Sequence, residues 1–290
     1  MQTNTFVKTH GLGNDYIVLD SANINFELTD QAVIRICDEH FGIGSDGILL
    51  KVASDIADFG LLIYNPDGTK AENCGNGLRI FSKYLYDYGF LDKKAFTVDI
   101  MGRLIHSEIL ELENERVARV RVEMGKATFA SAQVPLLYDK DECIDEVITI
   151  DDKDFNINCV SMGNPHCVVL CESLDIDELM KYAPKIQALD MFPNGTNVQF
   201  AKVNSNSEVE IRIYERGAGY TLASGSSSCG VAATMVRRGL VDKDVNIKMP
   251  GGELKISVDQ DYNITMTGPI REICSGVLNQ ELIEDKDIQF

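Results

Sequence analysis

The chain has 290 residues, of which 44% are hydrophobic and 25% charged, an ordinary globular composition with length for about two domains. Its formal net charge of −18 excludes the clustered basic surface that nucleic acid or an anionic membrane requires, so any anionic substrate must be held by local dipoles and a few chosen cations. No apolar run has the length of a membrane span, no basic-then-apolar leader is seen, and the eight cysteines are scattered without a CxxC pair, so a cytoplasmic protein with reduced thiols is expected.

In chain order, the first half carries short β-like runs at Tyr16 to Leu19, Ile48 to Val52, Leu61 to Tyr64, Phe96 to Ile100 and Val117 to Glu123. A weaker helix is expected over Thr29 to His40, with Asp30 as an early cap. A stronger one is expected over Gly77 to Tyr88, where Leu78, Phe81, Leu85 and Tyr88 share a face. The second half repeats the pattern. Strands are expected at Cys167 to Leu170, Val198 to Ala201, Val209 to Tyr214, Val245 to Met249 and Leu254 to Val258. A helix capped near Asp175 is expected over Ser173 to Ala183, and another over Ser227 to Arg238, apolar on several sides and thus buried all round. Gly89 and Gly239 fit helix C-caps. The histidines (His10, His40, His106, His166) show no metal-ligand spacing, and no metal is expected.

The two halves match at a constant offset of 150 residues. Gly13-Asn14 falls on Gly163-Asn164, Ile63-Tyr64 on Ile213-Tyr214, Cys74-Gly75 on Ser224-Gly225, and Gly89 on Gly239. Self-similarity of this kind implies duplicated units. The expectation is an α+β fold of two pseudo-symmetric domains, residues 1–125 with 276–290 and residues 126–275.

Asn73-Cys74-Gly75-Asn76-Gly77 stands just ahead of a predicted helix. A thiol there feels the positive end of the helix dipole, which lowers its pKa toward neutrality. The free amides of Gly75 and Asn76 suit a carboxylate. A thiolate base beside a carboxylate cradle suits removal of the α-proton of an amino acid. From this segment alone, a buried cysteine in a glycine-rich turn is an equal reading. The matched segment, Ser224-Gly225-Ser226-Ser227-Ser228, reads either as a second cradle or as a serine-rich N-cap.

The ordered set His10 to Tyr16, Phe41 to Gly47, Asn65-Pro66-Asp67-Gly68, Asn73 to Gly77, Gly163-Asn164-Pro165-His166-Cys167, Tyr214 to Gly219, Gly251 to Leu254 and Met266 to Pro269 resembles the diaminopimelate epimerases, cofactor-independent racemases. The resemblance covers essentially the whole chain. It implies two domains, each a β-barrel-like sheet around a central helix, with the site in the interdomain cleft, no cofactor, a small amino-acid substrate and a homodimer. It implies two cysteines that remove and return the α-proton on opposite faces. The first maps to Cys74; the second maps to Ser224. It further implies that Glu215 and the Arg216 backbone hold the α-ammonium, and that Gly75, Asn76, Gly225 and Ser226 hold the α-carboxylate. Asn65, Asn164, Asn197 and the Arg216 guanidinium grip the distal end, Asn14 lines the cleft, and His166 is a lining or structural residue rather than a base.

Serine at 224 is the main departure, because a hydroxyl is almost never ionised at neutral pH. Binding with slow or absent inversion is expected. An engineered Cys→Ser exchange is the favoured origin and a naturally altered relative the other. Gly47 replaces a glutamine of some relatives, Tyr220 a usual glutamate, and Ser227-Ser228 a usual Gly-Ala, changes that a single engineered substitution does not explain. The alternatives to a diaminopimelate epimerase are a related racemase of another amino acid, such as histidine, and a non-catalytic binding derivative of the fold.

Overall fold

The computed structural model describes residues 2–71 and 75–284. Cys74 lies outside the described residues. The chain divides into two compact units, Met1–Val122 with Gly268–Phe290, and Glu123–Thr267.

The first unit begins with β1 (Thr5–Gly11), β2 (Asn14–Asp20), α1 (Asp30–Cys37), β3 (Ile48–Val52), β4 (Phe59–Tyr64) and β5 (Lys70–Ala71). It continues through α2 (Gly75–Asp87), β6 (Ala95–Ile100), β7 (Arg103–Glu113) and β8 (Arg116–Lys126), whose last residues belong to the second unit. The second unit follows with β9 (Glu146–Ile150), β10 (Lys153–Ser161), β11 (Pro165–Leu170), α3 (Ile176–Gln187), β12 (Asn197–Ser205), β13 (Glu208–Glu215) and β14 (Gly219–Thr221). It ends with α4 (Gly225–Arg237), β15 (Asp244–Met249), β16 (Gly252–Val258) and β17 (Asn263–Pro269). The chain then returns to the first unit as β18 (Arg271–Val277) and α5 (Gln280–Glu284).

The units share one topology. In the first, the strand order is β18-β1-β2-β3-β4, with β4 also paired to β5 and to β6, which leads to β7 and β8. In the second it is β9-β10-β11-β12-β13, with β13 paired to β14 and to β15, which leads to β16. From β2 to β5 and from β11 to β14 the registers repeat at the sequence offset. Ile17 faces Ile48 as Cys167 faces Val198, and Ile48 faces Tyr64 as Val198 faces Tyr214. Tyr64 faces Lys70 as Tyr214 faces Tyr220. The position filled in the second unit by β9, which precedes β10, is filled in the first by β18 from the far end of the chain. An exposed edge of β1 would otherwise be left unpaired.

Each sheet encloses one helix. Residues Gly75 to Leu85 of α2 are buried on every side, and the helix packs on β1, β2 and β7, strands from distant places in the strand order. The second helix, α4, packs on β10, β11, β12, β13, β15 and β16. Its small residues Gly230, Ala232 and Ala233 let strands approach closely; a Cβ on Gly230 would lie 3.2 Å from Val160 and 3.4 Å from His166. α1 and α3 pack elsewhere on their own units: α1 lies against α5, and α3 against β9, β12 and β13.

Both central helices begin two residues earlier than the periodicity predicts, at Gly75 and Gly225, so these glycines are first-turn residues. Both end in the same motif. The Gly89 N–H donates to Tyr86 O and that of Phe90 to Leu85 O; the Gly239 N–H donates to Val236 O and that of Leu240 to Met235 O. This is a Schellman cap, with Gly89 at φ 75° and Gly239 at φ 68°. α1 is capped by Thr29, whose Oγ1 accepts the Ala32 N–H, rather than by Asp30, which occupies the first turn. Asp175 caps α3 as its sequence suggests. β1, β7, β10, β17 and β18 were not evident from apolar runs, because polar residues alternate along them or dominate them.

A Cβ at Gly89 or Gly239 would meet nothing within 4 Å, so only backbone strain opposes substitution there. Gly89→Ala and Gly239→Ala are each expected to cost about 1 kcal/mol, additively, in denaturant titrations.

Candidate active site

Strand direction gathers the candidate residues at one end of each sheet. β2 and β3 run parallel, so Asn14 at the start of β2 and Gly47 just before β3 lie at the same end. β4 runs antiparallel to β3, so Asn65, just beyond its last residue, reaches that end too. The same directions in the second unit bring together Asn164, Asn197 and Glu215. Each residue has a counterpart 150 positions away: Asn14 with Asn164, Gly47 with Asn197, Asn65 with Glu215, Gly75-Asn76 with Gly225-Ser226. The sequence comparison found the offset, but only the strand directions show that all these positions converge within their units.

In the first unit, the Asn76 side chain ties the start of α2 to this end by donating to Asn14 Oδ1 at 3.1 Å. Asn14 Nδ2 donates to Asp46 Oδ2 at 2.8 Å, and that oxygen also accepts the Asp15 N–H at 2.9 Å. Asn65 sits in a tight turn, its Nδ2 donating to Thr69 Oγ1 at 2.9 Å and its backbone N–H to Thr69 O at 2.8 Å. A Cβ at Gly47, where φ is 154°, would lie 2.3 Å from Tyr64 O and 2.8 Å from the Tyr16 ring. No side chain fits on this backbone, so a lining glutamine here would need a different loop.

In the second unit, Asn197 joins two loops. Its Oδ1 accepts the Arg216 N–H at 3.0 Å, and its Nδ2 donates to Pro165 O at 2.9 Å. Arg216 is exposed, and its Nη1 donates to Asn194 O at 3.0 Å. Asn164 is set by a buried histidine. Gln199 Nε2 lies 3.2 Å from His166 Nδ1 and 3.0 Å from Ser227 Oγ. With that amide as donor, Nδ1 accepts, and the imidazole proton sits on Nε2, 3.0 Å from Asn164 Oδ1. Complete burial pushes the His166 pKa down to about 3 and keeps the ring neutral. His166 therefore orients an amide in this fold.

Ser224 is the N-cap of α4; its Oγ accepts the Ser227 N–H at 3.4 Å. With Ser224 as cap, Gly225 and Ser226 are the first two helical residues, whose N–H groups have no acceptor within the helix. The two serines that follow are wholly buried. Ser227 Oγ accepts from Gln199, and Ser228 Oγ donates to Ser224 O at 2.8 Å. Their hydroxyls are used in the interior of the unit. Tyr220 packs half-buried against the second unit's apolar core. Glu215 is half-buried at the end of β13. Burial pushes the thiol pKa values of Cys37 and Cys171 up, to about 12 and about 11, so neither is an activated nucleophile. Among the described residues no group of three or more His, Cys, Asp or Glu side chains is arranged to hold a metal ion, and no helix is long and apolar enough to cross a membrane.

The family model for diaminopimelate epimerase matches residues 6–130 and 158–273. The chain belongs to the diaminopimelate epimerase family. It is 45% identical over 278 residues to diaminopimelate epimerase 2 of Nostoc sp., covering 96% of each chain. It is 39% identical over 277 residues to a diaminopimelate epimerase of Methanococcus maripaludis, covering 94% of this chain and 99% of that one. Among solved structures, a hydroxyproline epimerase from Agrobacterium vitis superposes with a TM-score of 0.70 at 12% identity, covering 94% of this chain and 90% of that one. A Bacillus anthracis phenazine biosynthesis protein of the PhzF family gives 0.70 at 16% identity, covering 96% and 100%. The α+β fold is thus shared with both of these structures.

The buried histidine makes a pH prediction. Its folded pKa lies below its unfolded value of about 6.5, so between about pH 6.5 and pH 3 the unfolded chain binds one more proton than the folded one. His166 therefore contributes a loss of stability as pH falls through that window and nothing above it. Urea titrations from pH 7 to pH 4 are expected to show a shallower acid-side slope for His166→Gln than for the native chain.

Proposed function

We propose that this chain binds diaminopimelate and is built to interconvert its LL and meso forms by proton transfer at one α-carbon. The observation that carries the reading is the pairing of functional positions between two like-folded units in a chain of this family. Two helix starts each present first-turn amides that have no acceptor within the helix and suit an α-carboxylate, and these amides would also stabilise the carbanion-like charge that develops when the α-proton leaves. Glu215, with the Arg216 backbone, holds the α-ammonium. Asn65, Asn164, Asn197 and the Arg216 guanidinium take the distal amino-acid end, a planar guanidinium being suited to a carboxylate. Asn14 lines the same site. In this role Asn197 braces two loops as well as facing the ligand, since both ends of its amide are already engaged by backbone.

In this reading Cys74 is one proton-transfer group and Ser224 occupies the place of the other. Inversion needs a base on one face and an acid on the opposite face, because a single base returns the proton to the face it left. The hydroxyl of Ser224 caps α4 and is too weak an acid and base to serve at neutral pH. The interior bonds of Ser227 and Ser228 favour a naturally adapted serine-rich turn over a single exchange made at 224. No cofactor is invoked, and the chain acts as a cytoplasmic homodimer.

Ser224→Cys is expected to raise the epimerisation rate of LL- or meso-diaminopimelate by about 10²–10⁴-fold, the usual contribution of one positioned acid or base. The native chain should instead exchange the α-proton of one isomer with deuterium oxide without inverting it. Absence of any gain in the cysteine variant, with diaminopimelate bound, would remove Ser224 from the reaction.

A further inference from the structure

Arg79 is one of the largest wholly buried side chains in the protein, although it carries a full charge. Burying a guanidinium is costly unless its N–H groups are satisfied. Nη1 donates to Pro269 O at 3.1 Å, and Nη2 donates to Asn76 Oδ1. Asn76 Nδ2 in turn donates to Asn14 Oδ1, and Asn14 Nδ2 to Asp46 Oδ2. Four side chains thus form one line, Arg79 to Asn76 to Asn14 to Asp46, in which every donor points toward Asp46. The β1 backbone runs close to it: a Cβ at Gly11 would lie 3.2 Å from Arg79 Nη2 and 3.5 Å from Asn76 Cβ.

The two ends give the line its direction. A guanidinium only donates and an ionised carboxylate only accepts, whereas an asparagine amide does both. Flipping Asn76 alone would set its NH2 against the Arg79 N–H groups and its oxygen against the oxygen of Asn14. Flipping Asn14 alone would set its oxygen against the Asp46 carboxylate. Flipping both leaves a clash at each end. Only the observed orientation satisfies all the bonds.

We propose that Arg79 and Asp46 are positioning residues that, with Asn76 as the link, fix the amide orientation of Asn14, and so decide which of its atoms remains for the ligand. Asn76 is engaged at both ends, its Oδ1 by Arg79 and its Nδ2 by Asn14; Asn14 keeps one amide proton and one lone pair. The inference rests on the reading of Asn14 as a diaminopimelate contact. A structural role for Arg79 alone, tying α2 to Pro269, predicts no involvement of Asp46, which is exposed and belongs to a different loop.

The test uses the full chain, calorimetric binding of meso-diaminopimelate, and the side-chain amide signals of Asn14 and Asn76 in ¹H–¹⁵N spectra without ligand. Asp46→Ala is expected to weaken binding about tenfold or more, as for loss of a charge-assisted hydrogen bond, with little change in melting temperature. Asp46→Asn keeps an acceptor at that place and should restore binding to within about threefold. Arg79→Met should shift the Asn14 amide signals, although Asn76 lies between the two residues. Native affinity in a folded Asp46→Ala protein, or unchanged Asn14 signals in Arg79→Met, would overturn the proposal. Should Arg79→Met fail to fold, the two Asp46 variants decide it. Should the native chain bind no diaminopimelate, the functional reading fails, and the Asn76 signals in Asp46→Ala still decide the relay, since they move only if the amides are coupled.

Discussion

Parallel pairing at the centre of each sheet is the constraint on which the rest depends. A parallel pair sets the starts of both strands at the same end, and an antiparallel neighbour returns its finish there. β2, β3 and β4 obey this in the first unit, and β11, β12 and β13 in the second. Three loops far apart in sequence are thereby brought to one end of a rigid sheet. The scaffold places the loops, and side-chain bonds to partners distant in the chain then orient the candidate residues on them. The strongest single statement of the duplication is that the central pairings recur in identical register 150 residues later, as do the glycine caps of the two enclosed helices.

The enclosed helices carry the remaining candidate residues of each unit. A helix buried on all sides needs small or apolar residues throughout, and α4 meets that need with glycine, alanine and serine. The first helix meets it differently: it buries Arg79 and Lys83, Arg79 bonded to Pro269 O and Asn76 Oδ1, and Lys83 to Asp87 at 2.6 Å and Val117 O at 2.8 Å. The same helix therefore carries buried charge as a structural tie at one turn and as the head of an amide relay at another. In the second unit the corresponding asparagine, Asn164, is held by a neutral histidine instead. Two similar scaffolds thus fix two matched amides by different chemistry, a charged relay in one and an uncharged one in the other.

The serine at 224 acquires a physical context from its surroundings. It caps α4, and the residues after it send their hydroxyls into the interior, where Ser227 Oγ accepts from Gln199 and Ser228 Oγ donates to the Ser224 carbonyl. A buried hydroxyl without a partner is costly, so the polar residues on β12 and α4 are mutually dependent. The Gln199, His166 and Ser227 side chains form one such set, and its far end is the oxygen of Asn164.

The sequence by itself determined the duplication, the two central helices, their glycine caps, the apolar strands and the segment around Cys74. These are local signals, carried by spacing and by residues with special backbone demands such as Gly89 and Gly239. Asn14, Asn65, Asn164, Asn197, Glu215 and Arg216 were legible only through resemblance, because a lone asparagine in a turn has no signature of its own. Only the tertiary structure decided that the returning C-terminal segment pairs with β1 as the strand β18, that Thr29 rather than Asp30 caps α1, and that Gly47 has no room for a side chain. It alone decided which way the amides of Asn14, Asn76 and Asn164 face. Those outcomes depend on partners distant in the chain: Asp46 and Arg79 are separated from Asn14 by 32 and 65 residues, and no local pattern encodes a hydrogen bond across such a span.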